Sequence, residues 1–258
     1  MGGQPVSAAR TERGNRPVRA NYVNVGVPPV DLRNFKTMGG KGYTKTSMKM
    51  TPPRLQPQLA DGALAGFLDG DLEDVFLRDV DVTNCHIVSL ELSGVKLEKT
   101  TLTSAQLERI SARDISMKHC DLSAAHLENG AINRAEFINC RMTGVDFSRS
   151  TLHDALFRGC KVDMANFRFA DLRRVKFVDC TFAEADFLGA TLHSVAFESC
   201  RLERTILDQV KCKQLDLRTS ELQEISGWKS LKGAIIDDLQ LVAVAPYLAN
   251  ELGIIVRQ

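Results

Sequence analysis

From residue 67 onward, every fifth residue of the chain is apolar. The series opens Phe67, Leu72, Leu77, Val82, Ile87, Leu92 and closes Phe197, Leu202, Leu207, Cys212, Leu217, Leu222, 32 consecutive positions without a polar or charged residue. A second series runs two residues ahead of the first and is small or branched, from Ala65, Gly70, Val75 and Val80 to Val210, Leu215, Ser220 and Ile225. The other three positions of each five are mostly polar. Charged residues make up 25% of the chain, so chance cannot keep one position in five free of them over this length. Neither the period of a helix nor that of a flat strand buries two of every five residues in a fixed phase. A polygon with one side per five residues does. Each side turns its large residue and its small partner inward, and stacked sides form parallel ladders about 4.8 Å apart.

The pattern resembles the pentapeptide-repeat family, whose consensus is Ala-(Asp/Asn)-Leu-X-X. Good local matches are Ala165-Asn166-Phe167, Ala170-Asp171-Leu172 and Ala185-Asp186-Phe187. The resemblance covers residues 65–226 and implies an all-β fold, a right-handed quadrilateral parallel β-helix with four sides and twenty residues per coil. About eight coils then make a rod of about 38 Å at the ladder spacing. The cysteines test the twenty-residue coil independently: Cys120, Cys140, Cys160, Cys180 and Cys200 recur at that interval and should stack on one inner edge. Likewise Phe137, Phe157, Phe177 and Phe197 fall in one column, and Phe147, Phe167 and Phe187 in the opposite one.

Composition divides the chain into three. Residues 1–60 hold seven of the eight prolines and ten Lys/Arg against Glu12 and Asp31, a net charge of +8 that the overall +1 hides. They show no sustained period and few apolar residues, too little to offset ordering entropy, and read as a basic, disordered tail. Residues 61–226 form the repeat and carry a net −7, all of it before residue 137. Asp69, Asp71, Glu73, Asp74, Asp79 and Asp81, with Asp61, crowd the first coil, opposed only by Arg78. In residues 227–258, Asp237 or Asp238 suits an N-cap, apolar residues recur at helical spacing, and Gly253 suits the C′ position. Pro246 should kink this helix or start a new one.

Solenoid ends need such caps. This tail resembles the C-terminal segment of the fluoroquinolone-resistance and mycobacterial-type members, where it caps the rod and mediates a homodimer. Leu241, Val244, Tyr247, Leu248, Leu252, Ile254 and Ile255 exceed the needs of one cap and are the candidate dimer contacts.

Little in the sequence speaks for catalysis or for a bound cofactor. The repeat has no CxxC, and thiols in one line do not make a tetrahedral metal site; small core filler is the reading that fits them. The five histidines are scattered, and a convex rod has no cleft for convergent acid and base groups. The chain is therefore expected to be non-enzymatic. No apolar run approaches the ~20 residues of a membrane span. The start lacks a secretory h-region, and Val6 stands where a myristoylation motif needs Ser or Thr. A cytoplasmic chain with free thiols is expected.

Two functions fit. The best-understood family members mimic B-DNA and bind DNA gyrase or topoisomerase IV, and the acidic first half and the resistance-type C-terminus agree with that role. The basic tail opposes it unless it folds back on the acidic coil as a shield. The alternative is a general protein-binding scaffold, with Phe169 and Leu188 as outward apolar contacts alongside Leu156, Ile138 and Val178. In a variant of this alternative, the tail is a secretion address and the rod an effector.

Overall fold

The computed structural model describes residues 48–62 and 64–256. Over the repeat, one large and one small residue per quarter-turn stack inward. All of the 32 large positions are buried except Cys212, which is half-buried in the last coil. The small positions are buried too from Leu90 on, with Val75, Val80 and Cys85 of the first coil half-buried.

Each coil spans twenty residues, about eight coils in all, and the register is constant. Leu152 pairs with Ile132 below and Leu172 above, and Phe157 with Phe137 and Phe177. Two adjacent sides merge into one strand per coil: Ser111–Lys118, Ala131–Ile138, Thr151–Arg158, Asp171–Val178 and Thr191–Glu198, all parallel. The other two sides meet their neighbours as single bridges such as Asp121↔Arg141 and Asp146↔Asn166, separated by turns. The phenylalanine columns are stacked rings 4.6–4.9 Å apart for Phe137–Phe157–Phe177–Phe197. The opposite column meets them edge-on at 6.4 Å.

What turns each corner is a left-handed residue. Two positions after every large residue, from Asp74 to Glu224, φ lies between 49° and 70°. Glycine holds this place only at 94, 144, 159 and 189. A non-glycine residue there costs about 1–2 kcal/mol. In return the corner amides extend the ladder, as Arg149 N–H does to the Arg168 carbonyl at 2.9 Å.

Both ends depart from the repeat. The first five, around Phe67, forms a short helix, Leu64–Asp69, instead of a β side, although Phe67 is still buried. Among the described residues no coil lies beneath it to supply ladder partners, and a helix satisfies its backbone instead. At the other end Gly227 adopts φ 84°, and a Cβ there would lie 2.4 Å from the Leu207 carbonyl carbon. Helix Asp238–Glu251 follows. Asp237 and Gln240 form a reciprocal capping box, and Gly253 (φ 71°) and Ile254 close a Schellman motif on Asn250 and Ala249. The helix assignment continues through Pro246, so no new helix starts there. Gln240 Nε2 donates to the carbonyls of Leu217 and Ser220, both at 2.6 Å, and so covers the open rungs of the last coil.

The segment expected to stay unfolded up to residue 60 is, from Met48 on, laid along the rod. Ala60 and Asp61 pair in parallel with Val75 and Phe76. Upstream, Arg54 N–H donates to Asp114 Oδ1 at 2.9 Å and Thr51 N–H to Asp154 Oδ1 at 3.1 Å. Three extended residues cover about 10 Å, and two coil spacings about 9.6 Å, so the strap climbs in step with the coils. Residues 1–47, with most of the basic charge, lie outside the described residues, as does any secretion address. Lys49 and Arg54, the two described cations of the tail, sit beside later coils and not over the acidic first one.

Candidate interaction surfaces

Convex walls leave three surfaces to consider. The first is the acidic opening coil. Asp71 and Glu73 flank inward Leu72, and Asp74 and Asp79 occupy left-handed corners. Asp69, Asp71, Glu73, Asp79 and Asp81 are exposed, and Asp74 half-buried. Among the described residues none of the six lies in an ion pair. Arg78, their sole cation by sequence, turns up the rod to Glu98 at 3.3 Å and lies over the Phe76 ring. Hydrogen bonds from the Thr83 hydroxyl and amide hold the Asp81 carboxyl below its ordinary range. The later coils are different: Asp171 pairs with Arg173, Glu184 with Arg204, Glu203 with Arg201 and Asp216 with Arg218.

The second surface is apolar. Phe169 is 54% exposed at a corner, and its ring lies against Gly189 one coil on, where an added Cβ would come within 2.6 Å of it. Leu188 is half-buried beside it, and Met164 adds an exposed side chain that sequence reasoning missed. Leu156 and Ile138 are half-buried and Val178 buried, which removes Val178 from any outward contact.

The third is the C-terminal end. Of the seven residues expected there, Val244 is fully buried and Leu248 packs on the rod core, so these two belong to the cap. Leu241, Tyr247, Leu252, Ile254 and Ile255 are exposed, the last at 79%. Leu239, Val242 and Val256 extend the same apolar surface and were not singled out in the sequence.

The cysteines carry no such surface. Cys120, Cys140, Cys160, Cys180 and Cys200 are buried and free, and each donates its thiol to a carbonyl two residues back. Hydrogen bonding to Cys160, together with burial, pushes the Cys180 thiol up to about 12. His126, Glu128 and Asp146 bring three potential ligand atoms within 4.8 Å, a grouping the spacing did not reveal. The Asp146 carboxylate already accepts from the Ser148 amide and Asn166 Nδ2.

Part of the repeat is also matched by sequence comparison. Residues 113–187 and 151–226 fit the family model of the pentapeptide repeat region. Residues 113–226 are a pentapeptide-repeat region. Full-length QnrB1, a plasmid-mediated fluoroquinolone resistance protein, has the same fold: TM-score 0.54 at 20% identity, covering 68% of this chain and 88% of that one. HetL, a pentapeptide repeat protein involved in heterocyst differentiation regulation from the cyanobacterium Nostoc sp. strain PCC 7120, aligns at 16% identity with a TM-score of 0.33, covering 65% and 89%. No curated protein matches the sequence. The chain's repeat region offers side chains on flat outer walls. No helix among its described residues is long and apolar enough to cross a membrane.

Proposed function

We propose that this chain is a non-enzymatic, cytoplasmic binding rod. Its acidic opening coil occupies the DNA-binding groove of a type II topoisomerase, DNA gyrase or topoisomerase IV. The observation that carries the reading is the sorting of charge: among the described residues the first coil keeps six carboxylates free of ion pairs, while the later coils pair most of theirs. B-DNA carries about three phosphate charges over one coil spacing of about 4.8 Å, and the coil matches or exceeds that density locally. Carboxylates so placed meet a Lys/Arg groove built for phosphates, and their attraction falls steeply with salt. The fold shared with QnrB1, a fluoroquinolone resistance protein, supports the same direction. The exposed apolar end formed by Leu241, Tyr247, Leu252, Ile254 and Ile255 supports a homodimer joined at the C-termini.

The test is a gyrase supercoiling assay with the full chain and with a variant carrying Asp71→Asn, Glu73→Gln, Asp74→Asn, Asp79→Asn and Asp81→Asn. The wild-type chain is expected to alter supercoiling at micromolar concentration and the variant to require at least about tenfold more. Inactivity of the wild-type chain against both gyrase and topoisomerase IV removes the reading.

One observation favours a second reading, a protein scaffold unrelated to topoisomerases: Met164 and Phe169, at successive corners of one coil, both stay exposed. Phe169→Glu would then abolish capture of a partner that the five-acid variant still binds.

A further inference from the structure

Residues 48–57 lie on the wall formed by the long strands, over a single column of corner residues: Asp114, Arg134, Asp154, Arg174, Ser194, Gln214. The first four members of this column alternate in charge. Arg134 grips Asp114 with two bonds, the Nε one at 2.6 Å, and Arg174 grips Asp154 with two at 2.7 Å. The two aspartates are only 8 and 6% exposed, unusual for outward positions of a solenoid. Their covering is the strap, whose Arg54 and Thr51 amides each add one bond to a carboxylate oxygen.

The strap's sequence fits this surface without helix or strand. Its two bonded amides stand three residues apart, matching aspartates two coils apart, and the residues between them, Pro52 and Pro53, have no N–H to leave unsatisfied. Thr51, Pro53 and Leu55 are half-buried and Pro52, Arg54 and Gln56 exposed, the alternation of an extended segment on a flat wall. No residue from Met48 to Gln58 is fully buried. Release leaves each aspartate with its bidentate arginine, so neither charge is stranded. A segment held by two hydrogen bonds and partial burial belongs to the low-stability end of a fold.

We propose that this corner column is a docking groove for an extended, proline-containing peptide, occupied here in cis by the chain's own residues 48–57. The groove recognises main-chain N–H groups three residues apart and tolerates prolines between them. It is independent of the acidic coil and of any topoisomerase.

The experiment uses the full chain and a fluorescein-labelled peptide of residues 48–57, followed by anisotropy. Thr51→Pro with Arg54→Pro deletes both donors outside the solenoid, so the rod is untouched, and far-ultraviolet circular dichroism checks this. The labelled peptide is expected to bind this double variant at least about tenfold more tightly than wild type, whose groove is filled. Adding Asp114→Asn and Asp154→Asn should weaken that binding again by at least about tenfold. In the wild-type chain the Thr51 and Arg54 amides should exchange with solvent at least about tenfold more slowly than those of Gln56 and Gln58. Equal exchange at the four amides, or a peptide that ignores the double variant, overturns the groove. Dimers that vanish with the Thr51→Pro, Arg54→Pro pair would show the strap crossing to a second copy and overturn its assignment in cis.

Discussion

Phe157 and Phe169 carry the same side chain to opposite fates. Phe157 is sealed between two stacked rings, and Phe169 lies outside on Gly189. Phe157→Ala should cost about 3–5 kcal/mol in urea denaturation, through lost burial and an unfilled cavity. Phe169→Ala, away from the core, should stay within about 0.5 kcal/mol. The two fates were legible in advance, because phase within the five decides them. The corners were not. Arg149, Met164 and Glu184 all adopt left-handed backbone, and no single residue type marks the place, which Asp and Arg hold as often as any. At such a site Arg149→Val should destabilise by about 1–3 kcal/mol while Arg149→Gly stays near neutral, measured the same way. The buried thiols make a further check. A thiol-reactive dye on the native chain should label Cys85 and Cys212, half-buried and slow because burial raises both thiols, and reach the five column cysteines only on unfolding.

Elements with local chemistry were readable, and those held by non-local backbone bonds were not. The C-terminal helix announced itself through Asp237, its apolar spacing and Gly253, and each does the expected work. Pro246 did not end it. The strap left no pattern to find. Its anchors are main-chain amides, and their partners lie 60 and 103 residues away. Its docking should respond to acid. Hydrogen bonds from Arg134, then the Arg54 amide, hold Asp114 below its ordinary value, and Arg174, then the Thr51 amide, do so for Asp154. His153 and the Arg54 side chain add smaller attractions of the same sign. Release keeps each arginine in place, so only the strap's share of the lowering is linked to docking. The docked state is fully favoured while the carboxylates are ionised and loses that share as the pH falls through their lowered range, below the ordinary value of 3.8. Amide protection at Thr51 and Arg54 should therefore be flat from neutrality down to 3.8 and decline relative to the core strands only below that value.

The whole molecule combines an acidic opening coil, charge-paired later walls and an apolar closing end. The totals by segment gave the first of these as a count. Which acids are neutralised depends on neighbours two residues along, as for Asp171 and Arg173, or one coil away, as for Glu184 and Arg204, and the totals do not show that. At the apolar end, sedimentation should show a concentration-dependent dimer that Leu252→Glu with Ile255→Glu converts to monomer, since both side chains stand clear of the rod. The central claim is that the rod competes with DNA through charge. The direct measurement is binding of the full chain to gyrase in the presence of increasing duplex DNA, at low and at physiological salt. Displacement by the duplex, with affinity falling as salt rises, is the predicted result. Binding that neither DNA nor salt disturbs would contradict it.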